Sequence, residues 1–244
     1  MEPDAGERLM LRALLDLVYP RRCVGCGQEP GPSRGHLCWD CLSQVPFVGP
    51  PFCARCGDPV EGRVDASFVC YHCSRNEPWF DQARSAARYR GVVQTVLRSF
   101  KYGQGLWLRS ELVRVLAACL AVHYDAGGID AVCAVPLYPA RRRERGYNQS
   151  ELLAVSLARR LRKPVVSACL ARIRPTRTQT NLTAKERASN VKGAFRTRRR
   201  HRLDGRRILL IDDVMTTGAT VNECARVLNE CGAGRVQVLT VARG

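Results

Sequence analysis

Ile208-Leu209-Leu210-Ile211-Asp212-Asp213-Val214-Met215-Thr216-Thr217-Gly218-Ala219-Thr220 is the stretch that decides how this chain folds. Four apolar residues read as a buried strand, two carboxylates close it, and a Thr-Thr-Gly turn leads into a helical pattern over 219–231. In open α/β sheets, ligands gather at the carboxyl ends of strands. The helix N-terminus that follows offers unpaired N–H groups and the positive end of a dipole, which together hold an anion such as phosphate. Thr216, Thr217 and Thr220 add hydroxyl donors, and Gly218 lets the backbone close in. Asp212 and Asp213 would repel a bare phosphate. They suit a ligand that also offers hydroxyls, as a ribose does, or a bound Mg²⁺.

Outward from this stretch, apolar runs of strand length alternate with helical patterns. Strands are expected at 129–137, 165–169, 207–211 and 235–241, with a helix over roughly 149–162, so the fold class is α/β with a parallel sheet. Residues 84–123 carry two helical patterns broken at 101–105. An Arg-rich loop follows 137, and 170–202 lacks a clear period and reads as a long loop.

Among the 13 cysteines, eight form four CxxC pairs: Cys23/Cys26, Cys38/Cys41, Cys53/Cys56 and Cys70/Cys73. Two intervening residues let both thiolates reach one tetrahedral Zn²⁺ from a tight turn, and eight thiolates make two closed, structural sites. Gly25, Gly27 and Gly57 sit where such turns need freedom. Short loops favour sequential pairing, with a crossed arrangement as the alternative. A redox role for the CxxC pairs lacks a thioredoxin-like context. His36 and His72 read as bystanders, and the five single cysteines as small core residues. The expected division is 1–80, a helix at 5–19 plus a small Cys-rich double zinc ribbon, and 81–244, the α/β domain.

The 244 residues carry a formal net charge of +17, and 141–207 holds 21 basic against four acidic side chains, which accounts for the whole excess. Such confinement points to a surface for phosphates or nucleic acid; an Arg-favouring composition on a solvated face is the alternative. The longest wholly apolar run, 115–122, falls far short of the roughly 20 residues of a spanning helix. Glu2 and Asp4 stand where a secretory signal carries basic residues, so no membrane insertion and a cytoplasmic location are expected.

Residues 208–220 resemble the ribose-phosphate signature of type I phosphoribosyltransferases. Val135-Pro136-Leu137, leading into Arg145-Gly146-Tyr147-Asn148-Gln149-Ser150-Glu151-Leu152-Leu153-Ala154, is similar to the pyrophosphate-loop region of the ComF competence-protein family. Gln179, Leu182, Arg187, Asn190, Val191 and Phe195 resemble that family's flexible loop, and tandem CxxC pairs are typical of it. The resemblance implies a type I phosphoribosyltransferase-like sheet behind the zinc ribbons. It implies that Asp212 and Asp213 hold the ribose hydroxyls of phosphoribosyl pyrophosphate (PRPP). Thr216, Thr217, Gly218, Ala219 and Thr220 would cradle its 5′-phosphate, and Leu137, Tyr138, Arg145 and Arg187 would serve the pyrophosphate, with magnesium. Purine-type members carry a general-base Asp where Thr216 stands, and a threonine hydroxyl takes no proton at neutral pH. Orotate-type members also lack it, so transferase chemistry stays open, and no catalytic residue is assigned.

Two functions fit. The family resemblance implies a competence protein that handles incoming single-stranded DNA beside the DNA-uptake machinery, binding the DNA backbone through basic side chains. Arg196 and Arg198 to Arg202 lie outside the matched motifs and suit that role. Residues 141–207 hold few aromatics for base stacking, so Trp39, Phe52, Tyr71 and Trp79 in the Cys-rich segment are the stacking candidates. The alternative is an active phosphoribosyltransferase on an unidentified small acceptor, the Arg-rich stretch closing as a lid.

Overall fold

The computed structural model describes residues 21–31, 35–62, 64, 68–102, 105–176, 183–197 and 202–244, without the side chains of 184, 185 and 188. The expected helix at 5–19, Gln179, Leu182 and residues 198–201 lie outside the described residues.

Two short helices, α1 (Trp39–Ser43) and α2 (Tyr71–Arg75), belong to the Cys-rich segment. Then follow β1 (Gln82–Arg88), α3 (Val92–Tyr102), α4 (Arg109–His123), β2 (Ala131–Ala134), α5 (Pro139–Arg145), α6 (Gln149–Leu161), β3 (Leu170–Arg172), α7 (Ala184–Val191), β4 (Phe195–Thr197), β5 (Arg207–Met215), α8 (Ala219–Glu230) and β6 (Arg235–Arg243). The main sheet is all parallel, in the order β1-β6-β5-β2, while β3 and β4 form a small antiparallel pair.

Strands buried on both faces read as continuous apolar runs, because helices cover each side. β5 and β6 fit this, and alternation along them assigns the faces. Leu209 and Ile211 pack with Leu97 and Phe100 of α3, Leu116 of α4 and Leu153 and Leu157 of α6. Ile208 and Leu210 pack with Val227 and Leu228 of α8 and with Cys53, Cys56 and Cys73. The outer edge of β1 is covered by the Cys-rich segment: the Val48 N–H donates to the Ala86 carbonyl at 3.0 Å, and the Ala83 N–H to the Arg55 carbonyl at 2.7 Å. An edge paired in this way offers no template to another chain.

Four expectations change. The helical reading of 84–123 holds for α3 and α4, but its first residues are strand β1, where Arg84 and Ser85 are buried and break the apolar signal. The Arg-rich loop is helix α5, with Pro139 at its first turn and Gly146 as a left-handed cap at φ 82°. Residues 165–169 pair with the sheet only through a bridge of Val165 to Val132, and 167–169 form a 3₁₀ turn. The long loop at 170–202 contains β3, α7 and β4. α7 opens on a capping box, in which the Thr183 N–H donates to Glu186 Oε2 at 2.7 Å and the Glu186 N–H donates to Thr183 Oγ1 at 3.3 Å.

Candidate functional site

β5 runs past its four apolar residues to Met215, so both carboxylates stand on regular strand rather than after it. Gly218 then takes φ 79° and caps α8, a conformation that a side chain strains. Its Cβ position lies 2.9 Å from Met215 Cε. Thr216, Gly218, Ala219 and Thr220 line a small recess of about 20 Å³ together with Asp212, and Thr217 Oγ1 accepts the Ala219 N–H at 3.4 Å. Beside it opens a cavity of about 460 Å³, bordered by Asp212, Asp213, Thr220, Leu137, Tyr138 and Arg145, and also by Lys101, Arg141, Ser150 and Arg172. Asp212 and Thr220 border both spaces, which makes the recess and the cavity adjoining parts of one site. Arg187 lies on α7 and is not among the residues bordering either space.

The segment 145–151 explains itself contact by contact. The Arg145 guanidinium lies 4.8 Å from the centre of the Tyr102 ring. Tyr147 donates its hydroxyl to the Phe100 carbonyl. Asn148 Nδ2 donates to the Val135 carbonyl at 3.0 Å, fixing the loop after β2. Ser150 Oγ donates to Asp212 Oδ1 at 2.7 Å, and Glu151 pairs with Arg142 at 3.1 Å. This segment therefore joins α3, α5 and the end of β5 around one cavity.

Burial first, and the neighbouring Asp213 charge second, push the Asp212 carboxyl up to about 7, against the Ser150 hydrogen bond and the more distant Lys101 charge. Lys101 Nζ stands 2.9 Å from Asp213 Oδ2. Burial alone would lower the Lys101 ammonium, but the Asp213 and Asp212 charges outweigh it and leave it raised. Asp212 Oδ1 also accepts the Asp213 N–H at 2.9 Å, and Asp213 Oδ1 accepts the Val214 N–H at 2.7 Å. Three of the four carboxylate oxygens are thus engaged by the protein, which fits a resident divalent ion poorly and leaves Asp212 Oδ2 for a hydroxyl donor. Lys101 and Arg172 carry no motif in the sequence. The Arg172 guanidinium sits 5.3 Å from the centre of the Phe195 ring and bonds Thr176, and burial lowers it.

The cysteines gather sequentially, Cys23, Cys26, Cys38 and Cys41 in one group and Cys53, Cys56, Cys70 and Cys73 in the other, each with sulfurs within 4.8 Å of one another. Four sulfurs about 2.3 Å from a central zinc are about 3.8 Å apart at the tetrahedron's edges. Cys26 and Cys38 are 3.6 Å apart and Cys56 and Cys70 3.8 Å, so both groups fit the ion. Backbone N–H groups of Cys38 and Cys70 donate to Cys23 Sγ and Cys53 Sγ at 3.2 and 3.3 Å, as a thiolate requires. Gly57 at φ 66° passes so close to β1 that a Cβ there would meet the Ala83 carbonyl oxygen at 2.5 Å. Neither His36 nor His72 joins a group; His36 Nδ1 lies 3.2 Å from Glu111 Oε1. Trp39 and Tyr71 follow the third cysteine of their respective groups, and each is about three-quarters exposed, at 76% and 75%. Trp79 is exposed as well, whereas Phe52 stacks edge-on against His123.

Residues 14–74 match the double zinc ribbon domain, and residues 148–244 match the phosphoribosyl transferase domain. Competence protein F of Haemophilus influenzae is 33% identical over 229 residues, which span 91% of this chain and 96% of that protein. The chain belongs to the ComF family. Other ComF relatives include the DNA utilization protein YhgH of Escherichia coli K12, 30% identical over 93% of this chain and 99% of its own length. Competence protein ComFC of Bacillus subtilis is 27% identical over 85% of this chain and 84% of its own. This ComF chain accordingly joins two four-cysteine zinc sites to a phosphoribosyltransferase-like parallel sheet. Among its described residues, no helix is long and apolar enough to cross a membrane. Lys101, at the end of α3, falls between the two matched regions.

Proposed function

We propose that this protein binds PRPP at the carboxyl end of β5 and single-stranded DNA on its basic surface, as a cytoplasmic DNA-handling partner of the uptake machinery. The observation that carries the reading is the cavity itself: an acidic pair and a glycine-capped threonine recess share one space with Arg141, Arg145 and Arg172. Asp212 and Asp213 meet the ribose hydroxyls, residues Thr216 to Thr220 the 5′-phosphate, and Leu137, Tyr138 and Arg145 the pyrophosphate. Arg187, which borders neither space, is assigned to the pyrophosphate as part of the same proposal. Magnesium comes with the ligand's phosphates, since the acidic pair already has its own partners.

DNA is met by the exposed arginines of α5 and by Arg196 and Arg202, with Trp39 and Tyr71 offering rings to bases. A division near residue 80, zinc module before and PRPP domain after, belongs to the same proposal. The relatives named for competence and for DNA utilization support the DNA side. The test is anisotropy of labelled single-stranded DNA in rising salt. Affinity that collapses with salt but survives Asp212→Asn with Asp213→Asn supports separate sites; no DNA binding at low salt refutes the DNA half. Acceptor-dependent pyrophosphate release, lost in that double variant, would instead make the protein a transferase.

A further inference from the structure

Helix α3 ends Phe100-Lys101-Tyr102. A lysine there ordinarily complements the negative end of the helix dipole and points to water. Lys101 does not. Its side chain is only 18% exposed and its ammonium lies 2.9 Å from Asp213 Oδ2, itself in a side chain 10% exposed. The position is held from both sides, by Tyr147 bonding the Phe100 carbonyl and by Arg145 lying over the Tyr102 ring.

Two adjacent carboxylates in a polar cavity ordinarily attract a hard divalent cation, which takes oxygen ligands at about 2.0–2.1 Å for magnesium. Here an ammonium occupies the approach to Asp213 Oδ2, and a divalent ion on that oxygen would sit against it, charge to like charge. Ser150 and two backbone N–H groups take two further oxygens. We infer that Lys101 is the built-in cation of the acidic pair: it keeps free divalent ions off Asp212 and Asp213 and holds the pair as an acceptor for ligand hydroxyls. The exclusion of metal stands on this geometry alone; the hydroxyl ligand rests on the PRPP reading. Lys101 is in this sense a positioning residue, acting through Asp213.

The test uses Mn²⁺ alone as probe, its free concentration read by electron paramagnetic resonance, on the full-length protein carrying its two zinc ions. Wild type and Lys101→Arg, which keeps the cation, are expected to show no Mn²⁺ site that depends on Asp213. Lys101→Met is expected to gain one site at least ten-fold tighter than any in wild type, and to lose it when Asp213→Asn is added. Lys101→Gln carries the same expectation and serves if the Met variant does not fold, as judged by zinc content and circular dichroism. A wild-type Mn²⁺ site abolished by Asp213→Asn overturns the inference. So does a folded neutral variant that binds Mn²⁺ no better than wild type. A purely structural lysine would move stability without creating an Asp213-dependent site. Failure of PRPP to bind would refute the proposed ligand and leave this readout unchanged.

Discussion

Replacing Asp212 with asparagine removes a charge while keeping the Oδ1 acceptor that Ser150 and the Asp213 N–H use. Burial and the adjacent Asp213 raise the Asp212 carboxyl from 3.8 to about 7. A carboxyl raised in the folded state is favoured there as its neutral acid. Its stabilising contribution is complete below about pH 4 and is lost as the pH climbs to about 7. At about 1.36 kcal/mol per pKa unit, ionising it in place costs at most about 4 kcal/mol. Asp212→Asn therefore stabilises the protein at pH 8, and its advantage over wild type grows by on the order of 2–3 kcal/mol between pH 5 and pH 8. The assay is urea unfolding of zinc-loaded wild type and variant, compared at each pH so that any effect of pH on the zinc sites cancels. An advantage that does not vary with pH, or a variant less stable at pH 8, would show that Asp212 is not held as a neutral acid by its burial. The confirmed result would mean that wild type keeps a destabilising charge where the ligand sits, a familiar cost of a binding site.

The two zinc groups should respond differently to loss of a ligand. Cys53 is fully buried within a large core cluster, whereas Cys26 is exposed and the other three cysteines of its group, Cys23, Cys38 and Cys41, form a small cluster of their own. Cys26→Ser should lower zinc from two ions to one per chain by metal analysis and leave the sheet folded, while Cys53→Ser should abolish cooperative unfolding followed by circular dichroism. Tyr124 donates its hydroxyl to the Val238 carbonyl at 2.5 Å inside the core, so Tyr124→Phe removes that hydrogen bond and should cost about 0.5–1.5 kcal/mol in urea unfolding. Trp39→Ala together with Tyr71→Ala should weaken single-stranded DNA binding by about ten-fold or more in anisotropy, since stacking is worth about 1–3 kcal/mol per base, and should leave zinc content unchanged.

What could be read from the sequence follows from where each signal lies. Strand β5 and its threonine turn are local: an apolar run, two acids and a helix start within thirteen residues. Cysteine spacing is local too, and it gave the two zinc groups. Strand β1 hid because Gln82–Arg88 has no β-branched or aromatic residue, and Arg84 is buried through the Ala54 and Ala83 carbonyls and the Phe52 ring. Helix α5 announced itself by Pro139 and Gly146, but its four arginines looked like solvated loop. The Thr183 and Glu186 capping box marked α7 in the same way. Lys101 was beyond reach, because the residue that gives it meaning, Asp213, is 112 positions away and only the parallel sheet brings them together.

Calorimetric titration of the zinc-loaded protein with PRPP and magnesium asks whether the end of β5 is a PRPP site. The expected result is one ligand per chain and an affinity reduced at least ten-fold by Asp212→Asn with Asp213→Asn in a protein that stays folded. A wild-type protein that does not bind PRPP, or a double variant that binds it equally well, would contradict it.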